Sequence, residues 1–277
     1  MLEAYFDESG IHDGAAMCVI AGYFGYAAQW RAFEKKWLKV LGDHNTRLAD
    51  FHATDLIDSY RHQPMLEELA EGIATSAIYP VSAGIVVADF LSLSEKQRKF
   101  MTGATISEKT HKLITSGAPN RPYFVPFQLC LRKTTDYTEP GRKVNFFFGL
   151  DKPMSKYARI MFKQIKTQGA YTQSVWHSKR RLGDPAFPFA KETPQLQAAD
   201  LYAHLTYRHM LERHQANDWD VPPTGLLLTC LRNVKSVNDH VFLNKLCLQL
   251  TLAQTYVLAG KWDDHKDDQA YAKTGTE

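Results

Sequence analysis

The chain has few of the marks by which a sequence declares its chemistry. Among its 277 residues are four cysteines, Cys18, Cys130, Cys230 and Cys247, with no two at a zinc-knuckle spacing or side by side. That argues against a zinc ribbon and a disulfide scaffold, and fits four reduced thiols in a cytoplasmic protein. A secretory signal needs a basic start and an apolar run, whereas this chain opens MLEAYFDESG, with Glu3 and Asp7 early. No apolar stretch is long and unbroken enough for a bilayer, so no membrane partner is expected. Charge of one sign is scarce too: the net charge is +3. That permits a nucleic-acid or phosphate partner without demanding one. There is no Walker loop, dinucleotide glycine pattern, nucleophile elbow or zincin motif. Glycine-rich phosphate cradles therefore do not explain the chain.

What is present is enough for a globular core. A hydrophobic fraction of 44% can bury one large domain without staples. Residues 2–6 alternate and stop at DESG, which predicts a strand and a turn. Residues 17–26 predict a second strand, and Trp30, Phe33, Trp37 and Leu41 a helix over about 29–41. RLADFH at 47–52 predicts a short strand, Met65, Leu66, Leu69 and Ile73 a helix opened by Pro64, and 80–88 another strand. Residues 92–120 are polar and predict a partly helical insertion. A helix follows at about 123–135. VNFFFGL at 144–150 has the nearly unbroken apolar run of a central strand. Then come a helix at 155–168, a short strand at 173–178, a loop with three prolines and a helix at 194–214. DVPPTG breaks the chain at 220–225, and a helical C-terminal extension is expected over 226–262, its last helix at about 239–258. Strands mixed with helices point to an α/β layer fold in one domain spanning 1–277.

Acids stand where such folds bind ligands. Asp7 ends the first strand, with Glu8, Ser9 and Gly10 after it; Asp151 ends VNFFFGL. Either is also a plain turn or helix-start acid. Gln197, Asp200, His204 and Arg208 follow steps of three and four, so they form one stripe on a helix. Leu201 and Leu205 flank that stripe on one side, Tyr207, Met210 and Leu211 on the other. Tyr202, Thr206, His209 and Arg213 fall on the opposite face, which is expected to meet solvent. The stripe then lies inside the apolar face, where an ionised Asp needs a metal or another partner. A structural salt bridge of Asp200 with Arg208 or His204 is the plainer alternative. His52 closes the strand 47–52, and a lone His is more often packed than a ligand. Lys179, Arg180 and Arg181 make a compact basic run that could meet phosphates or simply be solvated.

YFDESG at 5–10, the helix of Trp30 and Trp37, FHATDL at 51–56, the strand ending at Asp151 and LQAADLYAH at 196–204 occur in an order that resembles the domain of unknown function 3800 family. The likeness runs from about residue 4 to 210. It implies an α/β, ribonuclease H-like mixed sheet flanked by helices. It also implies metal-dependent nuclease activity and a bacterial or mobile-element setting such as phage defence. Asp7 corresponds to the family's first-strand acid, Asp151 to the middle-strand acid, Asp200 to the late-helix acid and His52 to the strand-end histidine. A second acid on the first helix has only Glu34 as its candidate.

Taken together, Asp7, Asp151 and Asp200 would hold Mg²⁺ or Mn²⁺, hard cations that prefer carboxylate oxygens. Two such ions about 4 Å apart suit phosphodiester hydrolysis. Glu8 would position a water, and His52 or His204 would act on the nucleophile or leaving group. Ser9, Lys179, Arg180, Arg181, Gln197 and Arg208 are candidate substrate contacts, with nucleic acid as the expected partner. The competing readings are a non-catalytic binding module on the same fold and a phosphohydrolase acting on nucleotides.

Overall fold

The computed structural model describes residues 1–103, 105–106, 113–114, 118–149, 152–167, 180–232 and 240–243. Strands β1 (Leu2–Ser9), β2 (Met17–Tyr26) and β3 (Tyr79–Val86) form an antiparallel meander. Two-residue strands β4 (Thr105–Ile106) and β5 (Leu113–Ile114) pair separately. Strand β6 (Val144–Phe148) adds parallel to β1, and β7 (Leu182–Ala186) parallel to β6. Strand β8 (His240–Leu243) runs parallel to β3 on its other side. The mixed sheet has the order β7-β6-β1-β2-β3-β8.

Helices cover both faces. In chain order they are α1 (Ala27–Asp43), α2 (Ala53–Leu56), α3 (Gln63–Ala74), α4 (Val87–Leu91), α5 (Glu95–Met101), α6 (Phe124–Tyr137), α7 (Lys152–Thr167), α8 (Pro194–Ala216) and α9 (Gly225–Cys230). The period-two alternation of β1 decides which side each residue meets. Leu2, Ala4 and Phe6 join the core made with α6 and α7. Tyr5 joins the opposite core with α1, α3 and α8. Asp7 follows Tyr5 by two residues and so belongs to the α8 side.

That second core is built on a run of aromatic contacts. Tyr5 meets Trp30 edge-on at 4.8 Å, Trp30 meets Phe33 at 5.4 Å, Phe33 meets Trp37 at 5.3 Å, and Trp37 meets Phe51 at 5.2 Å. Tyr5 also stacks on Phe147 of β6 at 4.5 Å. Each such pair adds about 0.5–1.5 kcal/mol beyond its burial. The Tyr5–Phe147 stack fixes the β1–β6 register two residues before Asp7.

Three elements differ from expectation. Residues 47–52 are not a strand: 48–50 form a 3₁₀ turn, Phe51 packs on Trp37, and His52 precedes α2. Arg47 holds Asp50 through two hydrogen bonds of 2.6 and 2.9 Å, a three-residue spacing that closes such a turn. Residues 240–243 are strand β8 rather than the start of the last helix; HVFL is β-prone, and the free edge of β3 offers it partners. The face of α8 expected in solvent is also largely covered. Tyr202 is fully buried, Thr206 is 2% exposed and His209 9%. Helix α8 lies between the sheet and α1, α2 and α9, so it is covered on more than one face. The expected strand at 173–178 and the rest of the expected last helix fall outside the described residues.

Candidate functional site

Strand β1 delivers Asp7 to the carboxyl end of the sheet. Gly10, at φ +75°, then turns the chain, and a side chain there would run into the Met17 carbonyl and the Tyr207 ring. Across the β1–β6 pair, the Gly149 amide continues the ladder by donating to the Phe6 carbonyl at 3.2 Å. The Asp7 carboxylate occupies the space where a Gly149 side chain would go.

Helix α8 delivers the second acid. Pro194 opens it, where a missing N–H costs nothing, and Asn217 in the left-handed region closes it. Asp200 lies near the top of this helix, and its Oδ2 accepts the Ala53 N–H at 2.9 Å. Burial, then Glu8, then Asp200 push the Asp7 carboxyl well above its ordinary range. Asp200 is raised as well, chiefly by burial, although the Ala53 N–H and His52 oppose the rise. Glu8 hydrogen-bonds Asp7 through both backbone and side chain. Among the described residues no ion pair involves Asp7 or Asp200. Arg208 pairs instead with Asp58, and His204 Nδ1 lies 3.2 Å from Thr54 Oγ1.

Asp7, Glu8 and Gly149 line a pocket of about 360 Å³, with Phe189, Ala190, Lys191 and Glu192 forming the rest of its wall. That is the lower end of ligand-sized pockets. The wall residues follow β7, whose parallel register with β6 brings its carboxyl end to the same edge as Gly149.

The other expected site residues divide by place. His52 stands beside Asp200 electrostatically, and its Nδ1 lies 3.2 Å from Asp55 Oδ2. Ser9 is the last residue of β1, opposite Val19. Glu34 accepts a 3.3 Å bond from Gln195. Gln197 is 1% exposed, inside the core rather than at the opening. Its Oε1 accepts from Trp37 Nε1 at 2.9 Å, and its Nε2 donates to the Leu48 carbonyl at 2.6 Å. Arg180 and Arg181 precede Leu182, which pairs with Val144, itself paired with Leu2. That is the end of the sheet away from Asp7, about 17 Å off at the strand rise per residue. Arg181 there donates to the Thr135 carbonyl at 2.8 Å. Asp151 and Lys179 lie outside the described residues.

The donor set is all carboxylate, which is what a hard divalent cation takes. Among the described residues, however, no three His, Cys, Asp or Glu side chains come together closely enough to hold a metal ion. Asp7, Glu8 and Asp200 offer carboxylate oxygens, but among the described residues they do not form such a group. Among the described residues, no helix is long and apolar enough to cross a membrane. Sequence reasoning missed Phe189, Lys191 and Gly149. The signal available was position: a short, proline-flanked loop at the carboxyl end of a strand. Compared with protein-family models, curated proteins and solved structures, the chain has no match.

Proposed function

We propose that this protein is a divalent-metal-dependent phosphodiester hydrolase, a nuclease of ribonuclease H-like fold, of the kind the domain of unknown function 3800 family resemblance implies. One observation carries the reading. Burial raises the carboxyls of Asp7, on the first strand, and Asp200, on a late helix, the charge of Asp200 raises Asp7 further, and among the described residues neither forms an ion pair. Two buried like charges need a proton or a cation between them. The mixed sheet flanked by helices supports the fold half of the reading, and the helix that carries Asp200 packs on the strand that carries Asp7.

In this reading Asp7 and Asp200, with Asp151 as the third acid, would hold Mg²⁺ or Mn²⁺. When bound, the ion would supply Lewis acidity and lower the pKa of a water. Glu8, bonded to Asp7, would position a water at the site. Burial and Arg208 hold the His204 imidazole below its ordinary value, despite Asp58. It is therefore mostly neutral near pH 7 and able to accept a proton.

A second reading has an observation of its own. Because Arg180 and Arg181 sit at the far end of the sheet, no broad basic groove flanks the acids among the described residues. A small pocket without such a groove suits a phosphohydrolase acting on single nucleotides. The experiment is cleavage of labelled DNA, RNA and nucleotides with Mg²⁺ or Mn²⁺ by wild type, Asp7→Asn and Asp200→Asn. Oligonucleotide cleavage lost in both variants supports the nuclease. Turnover of nucleotides alone supports the second reading, and equal activity in all three folded proteins removes both.

A further inference from the structure

The rim of the Asp7 pocket carries a side chain that folding alone does not explain. Phe189 is 61% exposed, although it directly precedes a 3₁₀ turn at Ala190–Glu192. Its carbonyl accepts the Glu192 amide at 3.2 Å and the Thr193 hydroxyl at 2.9 Å. Its ring makes no aromatic contact with another described residue. Two residues on, Lys191 is exposed and forms no ion pair among the described residues, although Asp50 feels its charge. Both residues line the same pocket as Asp7 and Glu8.

A single exposed Phe on a protein surface is ordinary. An exposed ring on the wall of a pocket whose other lining residues include one lysine, Lys191, and three acids, Asp7, Glu8 and Glu192, is a more specific arrangement. Aromatic faces bind bases by stacking, which tolerates any sequence because every base has a π-face. In a duplex both faces of a base are already stacked on neighbours, so only an unpaired base can use such a ring. The ammonium group offers one phosphate contact. The pocket volume of about 360 Å³ is the scale of one nucleotide and too small for a double helix to enter.

We infer that Phe189 stacks an unpaired base and Lys191 holds a neighbouring phosphate, so that the substrate of this site is single-stranded nucleic acid. This rests on the hydrolase reading of the Asp7 site and narrows its substrate class. Phe189 is then a specificity-determining residue, and Lys191 a substrate-binding one.

The test uses the full chain with Mn²⁺ and a labelled twelve-nucleotide strand, alone and annealed to its complement. Wild type should cleave the single strand at least about ten-fold faster than the duplex. Phe189→Ala should raise KM about ten-fold and change kcat little. Phe189→Trp should restore KM, whereas Phe189→Leu, apolar but without a π-face, should not. Lys191→Ala should raise KM and flatten its salt dependence. Equal duplex cleavage, or an unchanged KM in Phe189→Ala, overturns the inference and leaves the nuclease reading standing. Should no strand be cleaved by wild type, fluorescence anisotropy of the same strand decides. Binding that weakens about ten-fold in Phe189→Ala upholds the inference while the nuclease reading fails. Absence of binding, or turnover of mononucleotides alone, overturns it.

Discussion

The carboxylate of Asp7 fills the volume that a side chain on Gly149 would require. Asp7 lies on β1 and Gly149 directly follows the neighbouring parallel strand β6, and the backbone at Gly149 comes close because it has no Cβ. Gly149→Ala should therefore displace Asp7 rather than be absorbed by the core. Overpacking of this kind costs about 1–3 kcal/mol. Activity should fall by more than about ten-fold, since a misplaced group by an ångström costs that much or more. Steady-state kinetics beside a thermal melt would show it. A variant that melts lower but keeps full kcat would contradict the placement.

Proton linkage at Asp7 gives a signed expectation. Its carboxyl is raised well above 3.8 by burial, Glu8 and Asp200. A carboxyl raised on folding binds its proton more tightly in the folded state. Its contribution to stability is thus complete below about 3.8 and is lost as the pH climbs through the folded value. In chelator, Asp7→Asn should gain Tm over wild type as the pH rises from about 5 to about 8. Mn²⁺ should close that gap by stabilising wild type alone. A gap independent of pH would count against a strained carboxylate.

Asp200 has two separable tasks. It accepts the Ala53 N–H, and it carries charge toward Asp7. Asp200→Asn retains an acceptor oxygen and drops the charge, so it should fold at least as stably as wild type and bind Mn²⁺ much more weakly. Asp200→Ala loses the acceptor as well and should melt lower by the equivalent of about 1 kcal/mol. Calorimetric titration with Mn²⁺ and thermal melts of the two variants separate the tasks.

Gln197 is expected to behave as a structural residue. Removing its amide leaves Trp37 Nε1 and the Leu48 carbonyl without their partner. Gln197→Leu should cost about 1–3 kcal/mol per group left unsatisfied and shift Trp fluorescence. KM of the folded fraction should hold steady. A raised KM with an unchanged melt would return Gln197 to the substrate.

Arg180 serves as the control for position. It stands near the end of the sheet away from Asp7. Arg180→Ala should leave KM and its salt dependence within about two-fold of wild type, where Lys191→Ala should not. The reverse pattern would place the substrate path at the other end.

The sequence shows β1, β2 and α1 clearly because each has one wet and one dry side, or a full apolar run, and period alone identifies them. It also singles out Asp7 as a carboxylate at a strand end and Asp200 on its helical stripe, although that stripe runs from buried Gln197 to exposed Arg208, and the more buried face is that of Tyr202 and Thr206. Other features depend on neighbours. RLADFH has too few apolar positions to tell a strand from a turn; in the fold, 48–50 form a 3₁₀ turn that the exposed Arg47–Asp50 pair spans. The cover over Tyr202 and Thr206 comes from packing on more than one face of α8, which no helical wheel contains. The remoteness of Arg181 follows from strand register, and the rim of Phe189 and Lys191 from the direction of β7.

Asp7 stands near one end of the described chain and Asp200 near the other, with most of the sheet formed between them. The pair is a long-range closure, the slowest kind of contact to make. A chain emerging from the ribosome carries Asp7 long before Asp200, yet cannot bring the two near each other until α8 has been made and docked. Assembly order thus keeps the acids apart during synthesis: they meet only when nearly the whole fold is in place.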